Sequence, residues 1–87
     1  MTATFNANIT RENTARRLRE CRARFGDDHP ATYAAFARAV VAWCGRLGNT
    51  APVVGPEGPS AECKIAYGRA LHRADGHLVE NRHRRVT

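Results

Sequence analysis

The segment Gly26-Asp27-Asp28-His29-Pro30-Ala31-Thr32-Tyr33 constrains this chain more than any other, because it separates a basic amphipathic stretch from an almost wholly apolar one. Gly26 is a stop signal for a helix before it, since glycine enters the left-handed conformation that ends helices at little cost. Asp28 is the expected cap of a helix after it, because a carboxylate accepts the orphan amide hydrogens of a first turn. Pro30 in that turn gives up no internal hydrogen bond. The segment therefore predicts the turn of a helical hairpin.

The first arm is predicted over residues 10–25, with Thr10 as its N-cap. Ala15, Leu18, Cys21 and Phe25 share one face of the helical wheel, while Arg16, Arg17, Glu20 and Arg24 lie opposite. Pairs four residues apart, Glu12 with Arg16 and Glu20 with Arg24, would support such a helix from its solvated side. The second arm is predicted over residues 28–48, with only Arg38 and Arg46 charged in its interior. Tyr33, Phe36, Ala37, Val40, Trp43, Cys44 and Leu47 cover more than one of its faces, and a helix apolar almost all round is the central, buried member of its domain. Its alanines at 31, 34, 35, 37, 39 and 42 favour helix and admit close neighbours.

Beyond the hairpin the periodicity stops. Pro52, Pro56 and Pro59 with Gly55 and Gly58 predict an irregular loop over residues 49–59. Ser60 caps a third helix, predicted over residues 60–75, whose inward stripe is Cys63, Tyr67, Ala70, Leu71 and Ala74, with Gly76 as its stop. Residues 1–9 are expected to be a flexible start. Residues 76–87 form a basic tail that is either a short helical extension or a disordered arm. The expected fold is a single all-α domain over residues 1–87, a small bundle of three or four helices. Its core is Leu18, Phe25, Phe36, Val40, Trp43, Tyr67 and Leu71, with Trp43 buried against the third helix.

The turn resembles the inter-repeat junction of kinesin-light-chain-type tetratricopeptide repeats, which show Asp-His-Pro, one variable residue, then Thr and an apolar residue, as Asp28 to Tyr33 does here. Residues 13–25 are similar to the arginine-rich helix before such a turn, and residues 33–47 to the helix after it. Ala61-Glu62 followed by Tyr67-Gly68-Arg69-Ala70-Leu71 is similar to that repeat's second helix. The chain departs from the family in its long Pro and Gly loop and in two extra residues between Glu62 and Tyr67. The resemblance implies a scaffold that binds peptides or helices and has no activity of its own. One repeat with a flanking helix cannot bury its faces alone, so the third helix folding back, a second copy or a larger partner must cover the rest. The alanine-rich faces with Trp43 and Phe36 would serve any of these.

Charge narrows the partners. Fourteen Lys and Arg against eight Asp and Glu give a net charge of +6, and every one of the fourteen except Lys64 is Arg. Arginine binds carboxylate and phosphate bidentately, which suits an acidic partner, although arginine and alanine at the expense of lysine is also the signature of GC-rich codon usage. Arg16, Arg17 and Arg24 on the first helix and Arg82, Arg84 and Arg85 in the tail are the expected contacts to an anionic partner. Arg11, Arg19 and Arg22 add to the first cluster, while Glu12, Glu20, Asp27 and Asp28 interrupt it, and no short-turned helix-turn-helix with a polar recognition helix is present.

Other chemistry finds little footing. Cys21, Cys44 and Cys63 leave one thiol over in any disulfide scheme, which points to a reducing, cytoplasmic setting. All three fall on inward or near-inward faces, where cysteine is structural rather than nucleophilic. His29, His72, His77 and His83 lack the spacing of a zinc module, and Gly55-Pro56-Glu57-Gly58 lacks the spacing and lysine of a phosphate loop. The start of the chain lacks the basic residues and apolar core of a signal peptide, and the apolar run at residues 39–44 is too short for a membrane span. The sequence therefore predicts a soluble, non-catalytic protein-protein interaction module without cofactor or metal, whose partner is another protein or a second copy of itself. The alternative is a basic nucleic-acid-binding protein that uses the first helix and the tail.

Overall fold

A computed structural model describes residues 7–44 and 52–79. In chain order it has helix α1 (Ala7–Phe25), helix α2 (Pro30–Cys44), a two-residue antiparallel hairpin of β1 (Val54–Gly55) and β2 (Gly58–Pro59), helix α3 (Ala61–His72) and a 3-10 helix over Ala74–Leu78. The fold is small and all-α, and α2 touches every other element. Its central place follows from its composition: Thr32, Tyr33, Ala35, Phe36 and Ala39 are buried on it, toward α1 on one side and α3 on the other.

The turn between α1 and α2 forms as its residues demand, with one reassignment. Gly26 takes φ +89°, and its amide donates to the Arg22 carbonyl at 2.9 Å, the left-handed helix stop that favours glycine. Asp28 does not cap α2. The cap is His29, whose Nδ1 accepts from the Ala31 amide at 3.0 Å while its carbonyl accepts from the Thr32 and Tyr33 amides. Pro30 directly follows as the first helical residue, so the cap must be the residue before it, one place later than an Asp28 cap allows. The Thr32 hydroxyl, fully buried, donates to the Gly26 carbonyl at 2.7 Å and so ties the start of α2 to the end of α1.

The third helix folds back over the hairpin and covers it. Ser60 is its cap, with Oγ accepting from the Cys63 amide at 3.1 Å. Tyr67 enters between Tyr33 and Phe36, edge-on to both rings at centroid distances of 5.2 and 4.9 Å, the arrangement aromatic quadrupoles favour. Leu18, Phe36 and Tyr67 are buried as expected, and Val40 and Trp43 pack half-buried against the same cluster.

Several expectations are corrected. Helix α1 begins at Ala7, so Thr10 lies inside it and does not cap it. Phe25 is 42 % exposed and Leu71 41 % exposed. Phe25 is the last residue of its helix, where the chain turns away from the core, and Leu71 sits one position past buried Ala70, rotated off the inward stripe. Ala74 and Cys44 are also exposed, at helix ends. Trp43 is only half-buried, and the Arg11 guanidinium lies over its ring at 5.6 Å. Phe36 is wholly interior, at 1 % exposure, so it offers no surface to a partner.

The loop is not wholly irregular. Pro56 and Glu57 turn β1 into β2, and Gly58 takes φ +116°, a conformation reserved for glycine. The Ser60 amide then donates to the Val53 carbonyl at 2.8 Å. Helix α3 stops at His72 because Arg73 is extended, with φ −118° and ψ 178°, so Gly76 is not its stop and lies inside the 3-10 helix. That helix belongs to the domain rather than to a basic tail: Leu78 and Val79 are buried in the core. The expected end of the second helix beyond residue 44, the loop start at residues 49–51, residues 1–6 and the tail from residue 80 lie outside the described residues.

Candidate functional site

A groove runs along the outer seam of the hairpin. One end, about 380 Å³, is lined by α1 residues Arg17, Glu20, Cys21, Arg24 and Phe25 and by α2 residues Ala31, Ala34, Ala35 and Arg38. It continues into a second hollow of about 370 Å³ that adds Asn13, Thr14 and Arg16 and shares Arg17, Glu20, Ala35 and Arg38. From Asn13 to Phe25 the α1 wall is about 18 Å long at 1.5 Å per residue.

Local sequence explains the shape. Ala31, Ala34, Ala35 and Arg38 fall at helical spacing on one stripe of α2, and the first three are too short to fill the space beside α1. The walls are cationic: Arg17, Arg24 and Arg38 are exposed and face a floor of alanine methyls. Glu20 is the acid among them. It meets Arg16 at 3.9 Å in a solvent-exposed pair, and Arg16 also donates to Asn13 Oδ1 at 2.9 Å, so Arg16 pairs with Glu20 rather than with Glu12.

Of the expected anionic-partner residues, the structure thus brings Arg16, Arg17 and Arg24 to one groove. Arg82, Arg84 and Arg85 lie outside the described residues. Arg38 was not among the expected contacts. It stood as one of two charges in an apolar helix, yet its position seven residues after Ala31 and four after Ala34 already placed it on the alanine stripe.

Other arginines of α1 hold the fold together. Arg11 Nε donates to the Ala42 carbonyl at 3.2 Å. Arg22 Nε donates to Asp27 Oδ1 at 2.6 Å and its Nη1 to the Val79 carbonyl at 3.2 Å. The Tyr67 hydroxyl donates to the same Asp27 oxygen at 2.7 Å. This clasp joins the end of α1, the turn, α3 and the end of the 3-10 helix. The Arg22 hydrogen bond holds the Asp27 carboxyl below its ordinary range, while burial and the Asp27 bond hold the Tyr67 phenol well above its own. Burial, with the nearby Asp28 carboxylate, raises Tyr33, and burial pushes the Cys63 thiol up.

At the Phe25 end of the groove Phe25 stacks on His29 at 4.4 Å and 18°, with the Arg24 guanidinium 5.4 Å from its ring centre. All three cysteines are free thiols. Among the described residues no group of three or more metal-ligating side chains converges, and no helix is long and apolar enough to cross a membrane. Compared with protein-family models, with curated proteins and with solved structures, the chain finds no match.

Proposed function

We propose that this protein is a small non-catalytic binding module whose α1/α2 groove takes an acidic segment of another protein. The observation that carries the reading is the convergence of Arg17, Arg24 and Arg38, from two helices, on a groove floored by alanine. Guanidinium groups on both walls of a cleft offer bidentate contacts to carboxylates and steer an acidic partner into place. The resemblance of Gly26 to Tyr33 to a tetratricopeptide inter-repeat turn supports the reading, because it implies a peptide-binding scaffold. The free thiols fit a reducing, cytoplasmic setting.

Self-association through this face is disfavoured: a two-fold contact would set Arg17, Arg24 and Arg38 against their own copies. Nucleic acid is the weaker partner class. Arg11 and Arg22 are engaged within the fold, and Phe25 already carries His29 and Arg24 on its ring, which leaves it no open face for a base to stack on.

The test is fluorescence anisotropy with labelled poly-glutamate and, separately, labelled single-stranded DNA at physiological salt. Poly-glutamate is expected to bind the native protein, and the doubly reversed Arg17→Glu/Arg38→Glu variant to bind it about tenfold or more weakly. Equal binding by the variant, or tighter binding of DNA than of poly-glutamate, would overturn the reading.

A further inference from the structure

We infer that the occupant of the α1/α2 groove is itself an α-helix, with two acidic residues seven positions apart and a basic residue between them. This inference rests on the acidic-segment reading above and narrows it. The groove is long rather than round: its α1 wall spans about 18 Å, the length of about three helical turns. A single carboxylate or phosphate would occupy a fraction of it.

The floor decides the backbone of the occupant. Both walls are helices whose interior amides and carbonyls are already paired, so an extended peptide finds no sheet edge to pair with, as strand addition requires. A helix brings its own backbone hydrogen bonds. The short side chains of the half-buried Ala31 and Ala34 then let it approach closely, at the 8–10 Å axis separation typical of packed helices.

The walls decide its charges. Arg17 and Arg24 stand seven residues apart on α1, about 10.5 Å along the axis, which is the spacing of two same-face residues seven apart on a helix lying alongside. Glu20 lies between them and is exposed, so a lysine or arginine three or four residues after the first acid meets it. Arg38 faces the same acids from α2. Among the described helices a second copy of this chain does not supply the pattern: α1 carries Glu12 and Glu20 eight apart, α2 no acid and α3 only Glu62.

The test uses the intact protein and a labelled, end-capped helical peptide of about five turns, with an alanine and leucine stripe, two glutamates seven apart and a lysine three after the first. Its counterpart keeps the composition but carries two central prolines. The helical peptide is expected to bind about tenfold more tightly than the proline form, and Arg17→Glu/Arg24→Glu/Arg38→Glu to lose it while binding the charge-inverted helix instead. Circular dichroism checks that the triple variant is folded. If it is not, Arg38→Gln alone is expected to weaken the helical peptide. Equal binding of the two peptides overturns the helical occupant and leaves the acidic-segment reading standing. Binding of neither peptide overturns both.

Discussion

Replacing Phe36 by alanine is expected to cost about 3 to 5 kcal/mol, enough to remove most of the stability of a chain this size. Phe36 is 1 % exposed and meets Tyr67 edge-on at 4.9 Å, so truncation loses its transfer free energy, an aromatic pair and the packing around the cavity left behind. It stands where α2 faces α3, inside the buried cluster. Urea unfolding followed by far-ultraviolet circular dichroism measures the effect. The contrast is internal: Phe25→Ala and Leu71→Ala, at exposed positions, should each cost about 1 kcal/mol or less. A Phe25 variant as damaged as the Phe36 variant would mean that the hairpin packs through a different face.

The second large effect belongs to Asp27. Its carboxylate accepts from Arg22 Nε at 2.6 Å and from the Tyr67 hydroxyl at 2.7 Å, and Arg22 reaches on to the Val79 carbonyl. Asp27→Ala leaves a buried phenol and a half-buried guanidinium without that acceptor and is expected to cost about 2 kcal/mol, toward the lower part of the range for charged hydrogen bonds because Asp27 is partly solvated. Tyr67→Phe should cost less, since it removes one donor and leaves the Arg22 pair.

The pH dependence follows from the same contacts. Arg22, the largest influence, lowers the Asp27 pKa in the folded chain, so the folded state favours the ionised form. The stabilisation is complete above the ordinary carboxylate range, near pH 4, and is lost as pH falls through the lower folded value. Native protein should therefore lose stability below about pH 4 more steeply than Asp27→Asn does. Parallel curves for the two would mean that the clasp does not distinguish the carboxylate from the amide.

The hairpin was legible because its signals are local. Gly26 stops a helix through its own φ, Pro30 fixes the first turn of the next, and Ser60 caps the third through a hydroxyl that accepts from the amide three residues on. The core was legible where periodicity and burial coincide, at Leu18, Phe36 and Tyr67. It failed at Phe25 and Leu71, where wheel position places a side chain within about one residue of the inward stripe and the tertiary crossing decides which residue is covered. Leu78 and Val79 were missed because they follow a glycine and precede a run of basic residues. What seats them is a contact 57 residues away, from Arg22 to the Val79 carbonyl, which no local pattern encodes.

The groove was half legible. Arg16, Arg17 and Arg24 announced a cationic face, but a face becomes a cleft only when a second helix supplies the other wall. Arg38 joins them through the pairing of α1 with α2. The alanine run read as helix propensity and close packing, and its further consequence, an unfilled seam, appears only with both helices in place.

The most direct test of the groove is a heteronuclear single-quantum NMR titration of labelled protein with poly-glutamate at physiological salt. Binding in the groove predicts shifts confined to α1 from Asn13 to Phe25 and to the Ala31, Ala34, Ala35 and Arg38 stripe of α2, with α3 unmoved. Shifts centred instead on the outer face of α3, at Lys64, Ile65 and Arg69, would contradict it.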